Sequence, residues 1–227
     1  MTDIMLTRNT DKLRQEVAAH VAADTITQGV YWDSKDNSGC FIGCLAKSDN
    51  PAINEDTYGL PVMVQRIAEK IFEALPAVEA KAFFAALPDA VNCDGKDLTK
   101  VGWQFLAAEL RLLPNCNDQD QAVIDPVITG MDLLASGQEW AAADAAAARA
   151  AADADADDAA GWATDAKAAA ACAAKAAAKA AAGWAAADAA AWAAADAAAG
   201  AADTVRLRQR DLLLRLISEA PVVEAHQ

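Results

Sequence analysis

Two cysteines, Cys40 and Cys44, lie four residues apart in the segment GCFIGCLA. If this segment is helical, the two thiols share one helix face, and thiolates placed in this way can ligate zinc together with further donors. The candidates for further donors are Cys93, Cys116 and His20. The C-x3-C spacing differs from the C-x2-C of zinc knuckles, and these candidates are scattered along the chain. We therefore expect no metal and no other cofactor, with free thiols at Cys40 and Cys44.

A catalytic thiolate needs a neighbouring base, and the sequence contains two histidines, His20 and His226. His20 lies beside the apolar face of a predicted helix, a position typical of a packed residue, and His226 lies in the tail. The sequence contains no GxGxxG, Walker A, HExxH or GxSxG motif. These observations favour a protein without enzymatic activity.

Acidic and aromatic residues surround the cysteine segment in sequence that is typical of loops. The acidic residues are Asp33, Asp36, Asp49, Glu55 and Asp56. The segment DSKDNSG lacks the register and the final Glu of a calcium-binding loop. The aromatic residues Tyr31, Trp32, Tyr58 and Trp103 either line a small pocket or pack in the core, and core packing is the more common use. As a candidate binding surface we take Tyr31, Trp32, Asp33, Asp36 and Tyr58.

A long tract rich in alanine follows. Alanine makes up 42 of the 68 residues from 136 to 203, and alanine has the highest intrinsic helix propensity. The only large apolar residues of the tract are Trp140, Trp162, Trp184 and Trp192. The first three lie 22 residues apart, so they drift only slowly around one continuous helix. Glycines at positions 161, 183 and 200 can instead divide the tract into rods that pack antiparallel, and both arrangements stay open.

The tryptophans and aspartates of this tract have different expected roles. We expect the tryptophans to be buried and to stabilise the tract, and the aspartates to keep its outer face hydrated. Asp188 and Asp196 alternate with Trp184 and Trp192, and they extend the candidate binding surface onto the tract. The tract can also carry a contact between copies of the chain in an oligomer.

Hydrophobic periodicity predicts an all-α fold, because apolar residues recur at helical spacing and no segment alternates over the length of a strand. The predicted helices run from Asp11 to about Ala23, from Pro61 to Leu75, and over AVEAKAFFAALPDAV, LTKVGWQFLAAELRLL and DQAVIDPVITGMDLLASG. Prolines are expected to stop one of these helices near Pro88 and to interrupt another at Pro126.

A last helix, capped by Asp203, has a wide leucine-rich face that we expect to pack back onto the first part of the chain. These elements predict three regions. Residues 1–135 form a mixed-sequence helical domain, residues 136–203 an alanine-rich helical bundle or rod, and residues 204–227 a C-terminal helix and tail.

The chain is strongly acidic, with a net charge of -14. This charge argues against direct binding to nucleic acid or to an anionic membrane, and it suits solubility, a basic partner or mimicry of nucleic-acid phosphates. The sequence has neither a signal-peptide pattern at its start nor a window of about eighteen strongly apolar residues. We therefore expect a cytoplasmic protein with reduced thiols and no membrane partner.

Three features occur together along most of the chain: the Gly-Cys-x-x-Gly-Cys segment at residues 39–44, the helix start GLP at residues 59–61, and an alanine-rich tract before RLRQRDLLLRLISEAP. In this combination the chain resembles a group of bacterial and phage hypothetical proteins. The resemblance implies this architecture and a phage or prophage origin, and it implies no catalytic residues. Where some members have His, this chain has Lys47, which argues against a metal site there.

Together these features predict a non-enzymatic interaction protein that acts on a host protein. The alternative is a small-molecule or metal-binding domain centred on residues 31–58.

Overall fold

The structure, a computed structural model, describes residues 5–112, 118–148 and 202–223. The described residues are mostly helical, which confirms the all-α prediction. The helices are α1 (Thr10–Ala23), α2 (Phe41–Ala46), α3 (Ala52–Tyr58), α4 (Val62–Ala74), α5 (Ala77–Val91), α6 (Val101–Arg111), α7 (Asp118–Ser136), α8 (residues 142–148) and α9 (Ala202–Glu219).

Between α1 and α2 lies a minimal antiparallel hairpin of two strands, β1 (Trp32–Asp33) and β2 (Ser38–Gly39). Trp32 pairs with Gly39, and Asp33 pairs with Ser38. The chain was expected to be irregular here, and two residues per strand are too few to show as an alternating pattern in the sequence.

The described residues fall into two compact units. The first contains the chain up to Val101 together with the chain from Arg206 onward, and the second contains Gly102 to Val205. Most of the alanine-rich tract lies outside the described residues, so the predicted division at residues 135 and 203 stays a prediction.

The core of the first unit is built around aromatic rings on α2, α4 and α5. Phe41 of α2 contacts Phe72 of α4 and both Phe83 and Phe84 of α5, with ring centroids 5.2–6.1 Å apart. All four side chains are buried. Offset and edge-to-face pairs of this kind add to the stabilisation from burial alone. The ring cluster therefore fixes α2 against the two longer helices.

Helix α9 packs back onto the first unit, as predicted. Its Leu213 and Ile217 are buried and line a cavity together with Phe41 and Phe83. Arg210 forms an ion pair with Glu79 of α5. The apolar face of this helix thus finds its partner surface within the first unit.

A short segment around Lys96 joins both ends of the first unit. On one side the Thr7 amide donates to the Lys96 carbonyl oxygen at 2.9 Å, and on the other the Asp97 amide donates to the Pro221 carbonyl oxygen at 2.9 Å. The Val223 amide also donates to the Gly95 carbonyl oxygen at 2.9 Å. Backbone groups near residues 7 and 221 therefore meet on the same segment.

Two of the predicted helices contain a proline. Helix α5 covers the predicted segment Ala77–Val91 and ends soon after Pro88. Helix α7 instead continues through Pro126 to Ser136, so the interruption predicted there is wrong. A proline inside a helix costs about 3 kcal/mol, because one backbone hydrogen bond is lost and the ring clashes with the carbonyl group of the preceding turn. Buried side chains follow each proline, among them Val91 in α5 and Met131 in α7, and their burial outweighs this cost.

In the second unit, Trp140 lies directly over Gly130 of α7. Trp140 is 8% exposed, and a Cβ atom at Gly130 would lie 2.2 Å from its ring, so only glycine leaves room for the indole. This first tryptophan of the tract is buried, as we expected for the tract's tryptophans. Trp162, Trp184 and Trp192 lie outside the described residues.

Among the residues that the structure describes, no helix is both long enough and apolar enough to cross a lipid bilayer.

Candidate functional site

The two glycines of the Gly-Cys-x-x-Gly-Cys segment face the backbone of Tyr31. A Cβ atom would lie 2.3 Å from the Tyr31 carbonyl oxygen at Gly39 and 1.4 Å from it at Gly43. The Cys40 amide, which lies between them, donates to the Val30 carbonyl oxygen at 2.9 Å. The absence of side chains at these two positions therefore allows the chain before β1 to pack directly on β2 and α2.

The two cysteines of the segment are both buried, but they have different neighbours. Cys44 donates from Sγ to the Gly39 carbonyl oxygen at 3.1 Å, and burial raises the pKa of its thiol to about 12. The pKa of the Cys40 thiol is also raised, first by burial and then by the nearby carboxylate of Glu69. Both thiols are therefore protonated at neutral pH and are poor nucleophiles in this state.

Two carboxylates of α4 lie beside Cys40. Glu69 is buried and accepts a hydrogen bond from the Ile42 amide at 3.0 Å, whereas Glu73 is partly exposed and accepts one from the Gly29 amide at 2.8 Å. One potential ligand atom from each of Cys40, Glu69 and Glu73 lies within 4.8 Å of the others. Burial raises the pKa of both carboxyl groups. The cluster thus gathers one thiol at the start of α2 and two carboxyl groups of α4.

This cluster differs from the zinc ligand sets considered from the sequence. Among the described residues, no group of three potential ligands includes Cys44, Cys93 or His20. His20 is a core residue, because its Nδ1 lies 2.7 Å from the Thr25 hydroxyl and its ring packs edge-on against Trp32. Burial lowers the pKa of His20, which favours the neutral ring. Cys116, the remaining candidate, lies outside the described residues.

Glu69 and Glu73 were not identified as candidate ligands from the sequence, although their spacing in the sequence is one indication. Glu69 and Glu73 lie four residues apart in α4, so both project from the same side of the helix. Their proximity to Cys40 depends on how α2 packs against α4, which local spacing does not reveal.

Four residues of the candidate binding surface lie on one loop. We call residues 29–36 the Tyr31 loop. Tyr31 is 43% exposed, and its hydroxyl accepts a hydrogen bond from Arg66 at 3.1 Å. Trp32 and Asp33 are half-buried, and Asp36 is exposed. The structure therefore brings these four residues together, with Tyr31 and Asp36 open to solvent.

Tyr58 does not belong to this surface. It is 2% exposed and lies at the end of α3, with the ammonium group of Lys12 5.8 Å from its ring centroid. Burial raises the pKa of its hydroxyl. Core packing explains this aromatic residue, so its inclusion in the predicted surface was wrong. Asp188 and Asp196 lie outside the described residues, and Trp103 belongs to the second unit.

A buried polar pair, Asn54 and Gln65, connects α3 to α4. Asn54 donates from Nδ2 to the Gln65 Oε1 at 3.0 Å and to the Ile42 carbonyl oxygen at 3.3 Å. Gln65 donates from Nε2 to the carbonyl oxygens of Pro51 and Leu60. These bonds satisfy backbone groups of the turns around α3, so we assign the pair a structural role.

The cavity beneath α9 is too small to be a ligand site. Its volume is about 10 Å³, which is about the room that one water molecule requires. Its lining is apolar apart from Gln65 and includes Val64, Ala68 and Leu87. The cavity gives no support to the small-molecule alternative for residues 31–58.

Comparison of the chain with protein-family models, with curated proteins and with solved structures finds no match.

Proposed function

We propose that this chain is a non-enzymatic interaction protein that binds a protein partner through the Tyr31 loop. The observation that supports this proposal is the pair of exposed apolar side chains, Val30 and Tyr31, on a backbone that is held firmly in place. Val30 is 48% exposed beside the 43% exposed Tyr31. Tyrosine is among the residues that contribute most to binding energy at protein interfaces.

The base of the loop is anchored by contacts on three sides. Gln28, directly before the loop, donates to the carbonyl oxygens of Phe72 and Leu75 at 2.7 and 2.8 Å. The Gly29 amide donates to Glu73, and the Tyr31 backbone lies against Gly39 of β2 and Gly43 of α2. A loop that is already ordered loses less conformational entropy when it binds, which increases affinity.

The charge of the molecule indicates the chemistry of the partner. Asp33 and Asp36 follow Tyr31 within the same loop, and the whole chain carries a net charge of -14. We infer a partner with a basic surface around an apolar pocket that receives the Tyr31 side chain. The resemblance to phage proteins favours a host protein as this partner. We expect the two proteins to meet in the cytoplasm, because free thiols stay reduced there.

A photo-crosslinking amino acid at position 31 of the full chain tests the proposal. A captured host protein is then purified and titrated against the unmodified chain and against Tyr31→Ala. We expect Tyr31→Ala to weaken binding at least 30-fold, which corresponds to about 2 kcal/mol for an interface hot spot. Asp33→Asn with Asp36→Asn should weaken binding less and reduce its dependence on salt.

Val78→Ser is the matched control, because Val78 is 78% exposed on α5 and lies outside the loop. This variant should bind like the unmodified chain. Equal affinity of Tyr31→Ala and Val78→Ser would show that the Tyr31 loop is not the interface. Circular dichroism spectra of the variants should match, since exposed substitutions change stability by only about 0.5 kcal/mol.

A further inference from the structure

We propose that Cys40, Glu69 and Glu73 form a binding site for a divalent transition-metal ion with the preferences of zinc. Cys40 is the N-cap residue of α2, and Glu69 and Glu73 lie on α4, which packs against α2. One ligand atom from each of the three residues lies within 4.8 Å of the others. They combine one sulfur donor with two carboxylates. The site is distinct from the exposed side chains of the Tyr31 loop and does not depend on the proposed partner.

The donor types select the class of metal ion. A thiolate disfavours calcium and magnesium, which prefer oxygen ligands, whereas zinc accepts sulfur and carboxylate ligands together. Around tetrahedral zinc, sulfur and oxygen ligands lie about 3.6 Å apart, given bonds of about 2.3 and 2.1 Å. The present separations of up to 4.8 Å therefore require the side chains to close by about 1 Å.

Backbone amides already orient both carboxylates. The Ile42 amide donates to the Oε2 of Glu69 at 3.0 Å, and the Gly29 amide donates to the Oε2 of Glu73 at 2.8 Å. In metal sites, hydrogen bonds from surrounding groups to the ligating side chains hold these side chains in the orientation that binds the ion. We assign the second oxygen of each carboxylate, Oε1, to the ion.

The cluster is buried on one side and open to solvent on the other. Cys40 and Glu69 are buried, while Glu73 is partly exposed beside the exposed Gly29. An ion can therefore enter past Glu73 and retain a water molecule as its fourth ligand. When the ion binds, the Cys40 thiol releases its proton to solvent. The affinity of the site for the ion should therefore rise with pH.

Cobalt titration of the full chain, after treatment with a chelator, tests the site. Cobalt(II) bound to a thiolate gives a charge-transfer absorption band, and we expect this band to saturate at one ion per chain. Added zinc should remove the band by competition. Cys40→Ser should abolish the band, and Glu73→Gln should weaken cobalt binding at least tenfold.

Cys93→Ser is the control for the thiol, because Cys93 lies outside the cluster. This variant should keep the band and its affinity. Because Cys40 is buried, Glu73→Gln at the partly exposed position provides the test that leaves the core intact, with folding checked by circular dichroism. No band in the unmodified chain, a band that persists in Cys40→Ser, or unchanged affinity in Glu73→Gln would each overturn the site.

Discussion

At the scale of single residues, Gly43 determines how closely the Tyr31 loop can approach α2. The Tyr31 carbonyl oxygen occupies the place where any side chain at this position would begin. Cys40 and Cys44, which each follow a glycine, are buried. The repeated Gly-Cys pair therefore combines a close backbone contact with two buried thiols on one helical turn.

Gly43→Ala should destabilise the protein because its methyl group would lie 1.4 Å from the Tyr31 oxygen. We expect a loss of about 1–3 kcal/mol in the free energy of unfolding, measured by urea denaturation, as for other overpacked sites. Gly29→Ala is the comparison, since Gly29 has a φ of +80° but open space around it. Its backbone strain should cost about 1 kcal/mol. A larger loss in Gly29→Ala would contradict the close contact at Gly43.

The buried thiol of Cys44 should make stability depend on alkaline pH. Its pKa is raised to about 12 in the folded state, while an unfolded thiol ionises near pH ~8.5. The stabilisation is therefore complete below pH ~8.5 and is lost as pH rises toward the folded value. The free energy of unfolding should fall less steeply in Cys44→Ala, by up to about 1.4 kcal/mol per pH unit. The free energies of unfolding are measured by urea denaturation between pH ~8 and ~10. The same dependence on pH in the two proteins would refute this assignment.

At the scale of secondary-structure elements, Lys96 connects the carboxyl ends of two helices. Its buried ammonium group donates to the Ala90 carbonyl oxygen of α5 at 3.1 Å, and to those of Ile217 and Ser218 of α9 at 3.2 and 2.7 Å. A cation in this position satisfies the last carbonyl groups of a helix and interacts favourably with its dipole. One side chain thus holds α9 to the end of α5.

Lys96→Met should weaken this connection, because the substitution leaves buried carbonyl groups without their charged donor. We expect the free energy of unfolding to fall by about 2–4 kcal/mol, measured by thermal and urea denaturation. Lys35→Met, at an exposed position, is the matched control and should change it by no more than about 0.5 kcal/mol. Similar losses in the two variants would show that Lys96 is not a specific link.

The helices differ in how well the sequence could predict them. Helix α4 was predictable, since its apolar residues recur at helical spacing after Pro61. Helix α2 was not, because all six of its residues are buried and a uniformly apolar run has no period. The interruption predicted at Pro126 was wrong, because burial of the side chains that follow it outweighs the local preference of proline. The cluster of Cys40 with Glu69 joins residues 29 positions apart, and such pairings depend on packing.

At the scale of the whole molecule, acidic residues outnumber basic ones by 33 to 19. The ion pairs of the described residues are mostly at the surface, as for Arg14 with Asp11 and Lys81 with Asp24, and contribute little stability individually. The excess acidic side chains therefore repel one another more strongly in the compact folded state than in the unfolded chain.

Added salt should stabilise the protein by screening this repulsion. We expect the Tm to rise as NaCl increases from low concentration to ~0.5 M, where the Debye length is only a few ångströms. Near pH 4.4, the isoelectric point, the net charge is small and the salt effect should largely disappear. Differential scanning calorimetry at both pH values checks this. A Tm that falls with salt at neutral pH would indicate that attractive ion pairs outweigh the net repulsion.

The meeting of residues 7 and 221 on the segment around Lys96 has a consequence for synthesis on the ribosome. The first unit needs residues from Arg206 onward, and these emerge only after the roughly one hundred residues of the second unit have been made. At ~5–20 residues per second, this delay lasts about 5–20 s. Throughout it, α4 and α5 lack Leu213 and Ile217, so the growing chain presents an open apolar core to chaperones.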